Sequence, residues 1–254
     1  RNMKRHPIRP WAVLFWLLAW QGAAMALAAA FPHGELLLAS PVSALVRLVS
    51  LAGTGAFWAA VGRSAAAILG GFVLSCVLAA SLAALSARFR GVGELLAPLV
   101  AAVKAVPVVS FIILALVWLD SDSLALFISA LMVFPPIYLN VLAGIGAADR
   151  QLLEMARVFH VPFRRQLWGI WLPAVLPYFR SAASLALGLC WKAGVAAEVI
   201  GLPAGTVGER LYTAKVYFQT PDLFAWTAVI VAVSVAFEHL FLAAVDALVR
   251  KVGR

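Results

Sequence analysis

Charge is scarce in this sequence. Asp, Glu, Lys and Arg make up 12% of its 254 residues, about half the share in an ordinary soluble domain. Cysteine is scarcer still. Cys76 and Cys190 both fall inside apolar runs, where a thiol reads as a small core hydrophobe rather than half a disulfide or a metal ligand. No G-x-x-x-x-G-K-[ST] stretch occurs, and the glycines between 201 and 208 come without the lysine, which argues against a P-loop. Nor is there an H-E-x-x-H or a Cys/His cluster with metal-ligand spacing. No nucleophile stands at a recognisable spacing from a base.

What is abundant is apolar surface, at 64% of residues against about 45–50% in soluble domains. A soluble fold of this length cannot bury so much, so lipid is the solvent. Only helices and closed barrels satisfy their backbone there. Barrel strands alternate over about ten residues, whereas these runs last about 20 residues and more, the length of a membrane-crossing helix. The expected class is a polytopic all-α membrane protein of one domain, residues 1–254.

Six spans are expected. Residues 11–30 form an apolar run behind a basic start, residues 1–9. The alanines at 28–30 resemble a signal-peptide cleavage site, but the run is long for a signal peptide and reads as a first helix. Residues 31–62 are placed outside, with 42–51 as an interfacial amphipathic stretch. Spans two to six cover about 64–85, 95–119, 124–145, 174–198 and 223–249. The third is broken early by Pro107, and the fourth carries Pro135, Pro136 and Asn140. Residues 200–222 read as a loop.

The formal charge of +9 suggests nucleic acid until it is mapped. With both termini in the cytoplasm, fourteen of the 20 Lys and Arg lie inside or at the inner border. Arg47, Arg63, Arg210 and Lys215 lie outside, and Lys104 and Lys192 are embedded. That asymmetry is the positive-inside bias, so no nucleic-acid partner is implied.

The longest internal polar stretch, 146–173, carries Arg150, Arg157, Arg164 and Arg165. A helix starts near Asp149, favoured by acid in its first turn, and ends near Pro162. Leu152, Leu153, Ala156 and Phe159 recur at helical spacing, with Glu154, Arg157 and Arg164 pointing elsewhere. The segment holds Glu154-Met155-Ala156 and, without a gap, Ile170-Trp171-Leu172-Pro173. It resembles the Glu-Ala-Ala loop of the permease subunits of ABC-type importers. Lys104-Ala105-Val106-Pro107, Phe134-Pro135-Pro136 with Asn140, and Trp191 with Ala196-Ala197-Glu198-Val199-Ile200-Gly201 resemble the nitrate/taurine/aliphatic-sulfonate branch. The likeness covers about 42–249. Met155 replaces an alanine, and His160 stands where the family usually has glycine, so the turn is expected at Val161-Pro162 instead.

The resemblance implies a bacterial inner-membrane subunit that is not itself an enzyme. It would work as a dimer of identical copies, with two ATPase subunits and a periplasmic or lipid-anchored solute-binding protein as partners. ATP and magnesium would sit on the ATPase, with no cofactor on this chain. Glu154, Met155, Ala156, Arg157, His160, Arg164 and Arg165 would form the ATPase-coupling surface. A small solute, sulfonate-, nitrate- or taurine-like, would pass inward.

Lys192, Asn140 and Pro107 are the candidate pathway residues. An embedded lysine costs about 2.5–3.5 kcal/mol on insertion scales, so Lys192 either faces a central path, snorkels outward, or pairs with a carboxylate. Glu238 and His239 in the sixth span read as helix contacts rather than a proton relay. A membrane enzyme using Lys192, Glu238 and His239 is a competing reading. A stand-alone channel or carrier is another, although the inverted repeat common in carriers is not visible. Co-purification with an ATPase separates these.

Overall fold

A computed structural model of the chain describes residues 9–252. The basic residues expected at 1–8 and 253–254 lie outside it. Among the described residues every regular element is helical. In order they are α1 (Pro10–Ala30), α2 (Pro41–Ala52), α3 (Gly55–Arg88), α4 (Arg90–Ala105), α5 (Val108–Ala115), α6 (Ser121–Gly146), α7 (Arg150–Val158), α8 (Phe163–Gln166), α9 (Leu172–Gly201), α10 (Val207–Val216) and α11 (Thr220–Val252). A π-helical stretch, Leu167–Trp171, joins α8 to α9. Five helices are long and apolar enough to cross a membrane, six if the α4–α5 pair is one broken span. The chain is a multi-pass helical membrane protein.

The helix starts follow local chemistry. Ser40, Thr54, Asp149 and Thr206 each accept a backbone N–H from the first turn of the helix they precede, satisfying donors that have no intrahelical partner. The π stretch has a cause in Pro173, which lacks an N–H and crowds the preceding turn. The ladder widens just before it, where Leu172 N donates to Leu167 O five residues back.

α3, α6 and α9 make the core. Ile68, Phe72, Ile137, Leu187 and Cys190 are buried among them. Two glycines set the close approach. A Cβ on Gly71 would lie 2.3 Å from the Leu126 carbonyl oxygen, and one on Gly194 would lie 2.5 Å from Ile68 Cγ1 and 2.6 Å from Ser129 Oγ. The free thiols Cys76 and Cys190 pack here as apolar groups.

Cross-helix contacts fix direction. Arg63 meets Asp122 at 3.2 Å near the starts of α3 and α6, and Tyr138 Oη donates to Ser86 Oγ at 2.9 Å lower down. α3 and α6 are therefore parallel, so α4 and α5 must carry the chain back across. They do so bent by 106°. Pro107 is the hinge, capping α5 in extended backbone (φ −58°, ψ 137°). The third span is thus two helices at a steep angle, not a rod with a kink.

α9 runs against both neighbours. Gly144 lies beside Val175 and Tyr178, while Gly201 lies beside Leu124 and Ser121. Ser184 Oγ donates to Glu238 Oε1 at 2.7 Å, and Arg180 forms a two-pronged ion pair with Asp246. Glu238 is a helix contact, as expected. His239 is exposed and bonds within its own helix, Nδ1 lying 2.8 Å from Val235 O. One end of the bundle therefore holds the starts of α3, α6 and α11 with the end of α9. The other end holds Arg88, α7 and Arg250.

Candidate coupling segment and pathway residues

α7 and α8 form a short helical corner between α6 and the long α9. Only Ala156 in α7 is buried, at 1% exposure. The apolar periodicity has little to pack on: Leu152, Met155, Val158, Phe159, Phe163 and Trp168 are all exposed, Phe159 at 74%. Glu154, Arg157, His160, Arg164 and Arg165 are exposed as well. Among the described residues, none of the four charged side chains in that set makes an ion pair. An exposed apolar patch rimmed by unpaired charges is the composition of a contact surface.

The corner is made at His160, not at Val161-Pro162 as the sequence suggested. His160 adopts φ +49°. Val161 N donates to Ala156 O at 2.8 Å, and His160 N donates to Arg157 O at 3.2 Å. These two bonds form a Schellman cap, in which a left-handed residue satisfies the last carbonyls of a helix. Histidine is among the side chains that tolerate this conformation better than most. Gln166 then donates its amide to Val161 O at 2.7 Å, fixing α8 against the turn.

The three candidate pathway residues are not brought together by shared contacts. Pro107 is exposed at the α4–α5 hinge. Asn140 is half-buried and turns back on its own helix, Nδ2 donating to Pro136 O at 2.9 Å. Lys192 is exposed on a stripe of α9 that includes Ser181, Leu185, Leu189 and Ile200. Among the described residues it has no carboxylate partner. Lys104 is exposed in the last turn of α4.

The sequence reading missed two features. Residues 200–222 are not a plain loop, because α10 lies within them. Its signal was present as Thr206-x-x-Glu209: Thr206 Oγ1 accepts Glu209 N at 3.3 Å, and Gly205 N donates to Glu209 Oε2 at 2.7 Å, a close relative of the capping box. The second is Glu198, buried to 1% exposure. At the same end Arg47 meets Asp222 at 2.5 and 2.9 Å, and those bonds push the guanidinium further above its ordinary value.

Comparison with known proteins decides the family. Residues 71–254, well over half of the chain, match the family "Binding-protein-dependent transport system inner membrane component". The chain belongs to that family. Its relatives include a probable ABC transporter permease protein of Brucella melitensis, 29% identical over 83% of this chain and 86% of that protein. A Bacillus subtilis permease named for aliphatic sulfonates transport is 31% identical over 61% of this chain and 56% of that one. The riboflavin transport system permease protein of Chloroflexus aurantiacus is 27% identical over 91% and 85%. The chain is thus an ABC transporter permease subunit, as its Glu154-to-Pro173 stretch suggested. The solutes in those names differ in charge and size.

Proposed function

We propose that this permease passes a small solute, anionic and sulfonate-, nitrate- or taurine-like, from an external solute-binding protein to the cytoplasm. Two copies of the chain would pair in the bacterial inner membrane over two ATPase subunits, which hold the ATP and magnesium; this chain holds no cofactor. Both termini and α7 would face the cytoplasm, a reading that rests on the fourteen-to-four distribution of Lys and Arg.

The observation that carries the coupling role is the exposed apolar and charged face of α7 and α8. Glu154, Met155, Arg157, His160, Arg164 and Arg165 would meet the ATPase, with Ala156 as the buried pivot beneath them. The short rigid corner between α6 and α9 would move both when pushed, the kind of rigid-element coupling that switches other assemblies. Lys192, with Pro107 and Asn140 nearer the bends, would face the path.

Glu154→Lys tests the coupling face. The side chain is exposed and makes no ion pair among the described residues, so the variant should insert and express normally. Solute uptake and uptake-linked ATP hydrolysis in the full complex should both fall by about tenfold, the loss expected when a rim charge is reversed at a docked surface. Full transport at normal expression would remove Glu154 from the docking surface.

A further inference from the structure

The buried carboxylate of Glu198 lies at the end of the bundle read as external, on the last turn of α9. Its Oε2 accepts from Ser64 Oγ of α3 at 2.8 Å and from Gly208 N of α10 at 2.9 Å. Ser64 Oγ in turn accepts Val207 N at 2.9 Å. Glu198 and Ser64 thus satisfy two first-turn amides of α10 that have no partner within their helix. Gly208 is required for this approach, since a Cβ there would lie 2.2 Å from Glu198 Cβ. The other oxygen, Oε1, is buried with no hydrogen-bond partner among the described residues. A group placed only to fill the core would be apolar, because a buried charge is expensive unless fully paired. Glu198 and Ser64 are thus a buried polar anchor for the first turn of α10.

Further along α10, the face that carries Val207 and Gly208 has a different neighbour. Leu211, Tyr212 and Lys215 line an open cavity of about 570 Å³ together with Val199 and Ile200 from the end of α9. Lys215 Nζ stands 5.7 Å from the Tyr212 ring centre. α10 is therefore held at its first turn by the buried carboxylate and lines this cavity one and two turns further on.

We propose that Glu198 is a positioning residue: with Ser64 it clamps the first turn of α10 and so sets the shape of the outer cavity through which solute enters. The step from seating to solute entry rests on the permease reading; the seating itself does not.

The test uses the full chain with Cys76→Ala and Cys190→Ala as background and one reporter, Val207→Cys, a position only 3% exposed. A membrane-impermeant maleimide should label it slowly. Adding Glu198→Ala should raise the labelling rate about tenfold and Ser64→Ala about threefold, as local opening of α10 requires. Glu198→Gln keeps an acceptor oxygen and should stay within about threefold of the parent. Ala186→Cys, fully buried between the core helices, should remain protected throughout. In the assembled complex, uptake per complex should fall with Glu198→Ala and recover with Glu198→Gln.

Unchanged labelling of Val207→Cys in both Glu198→Ala and Ser64→Ala overturns the clamp. So does equal exposure of Ala186→Cys, which would mean general unfolding. Raised labelling with unchanged uptake overturns the transport role. A parent chain that assembles with an ATPase yet moves no solute would defeat the permease reading and leave the labelling result standing.

Discussion

Replacing His160 by glycine should stiffen the corner between α7 and α8, although it removes a side chain. His160 is held at φ +49° by the two bonds of the cap. For an L-residue the left-handed region costs about 1–2 kcal/mol. Glycine escapes that cost but has a more disordered unfolded state, which returns about 0.4–1 kcal/mol. His160 is exposed, so little packing is lost. The net is a gain of about 0.5–1 kcal/mol in local stability. His160→Val goes the other way, because a β-branched residue is poorly suited to positive φ; a loss of about 1 kcal/mol is expected.

Hydrogen exchange of the amides of Val161 and His160 in the full chain reads this directly, since both are donors in the cap. The expected gain corresponds to about threefold slower exchange in His160→Gly, and the expected loss to about fivefold faster exchange in His160→Val. Exchange in α6 should not change in either. If valine protects these amides as well as glycine does, the left-handed turn is not what closes α7, and a bend at Val161-Pro162 returns as the better account.

Three further outcomes follow from the fold. Gly71→Ala should destabilise the bundle by about 3 kcal/mol, the upper end of overpacking costs, because the clash is with backbone at 2.3 Å; Gly62→Ala, with nothing within 4 Å, should be neutral in the same thermal melt. On a Cys-free background an impermeant maleimide should label Lys215→Cys from outside and Arg165→Cys only after the membrane is opened; reversed sides would overturn the orientation. Lys192→Met should insert more easily, by up to about 2.5–3.5 kcal/mol, while uptake of an anionic solute per assembled complex falls; unchanged normalised uptake would remove Lys192 from the path.

The spans were legible because lipid imposes a length and a composition that sequence displays directly. What sequence could not display was the third span's geometry. Pro107 announces a break, but a proline break permits any angle, and the 106° found is set by α5 packing Ile112 and Ala115 against α6 and α9. The turn at His160 was misplaced for a related reason. Proline at 162 reads as a helix stop, yet it only follows a cap already completed two residues earlier. α10 was missed because it is short and mixed in polarity, so its capping pair was the only local signal. Glu198 was legible as a letter in a motif but not as a buried group, since its partners Ser64 and Gly208 come from other elements.

Lys192 is the case where structure narrows what sequence left open. Glu198 turns to Ser64 and Gly208 instead, and no carboxylate among the described residues pairs with Lys192. Snorkelling meets a length limit. Nine residues separate Lys192 from the end of α9 at Gly201, and at a rise of about 1.5 Å per residue that is about 13 Å. A lysine stem extends about 6 Å, so the ammonium would stop short of that end of α9. The stripe on which it sits is otherwise apolar or small, with Leu185, Leu189 and Ile200 all exposed. A charge left there with no partner among the described residues needs water or an anion, and this is what supports the proposed reading, in which a water-filled path between two permease copies would supply both.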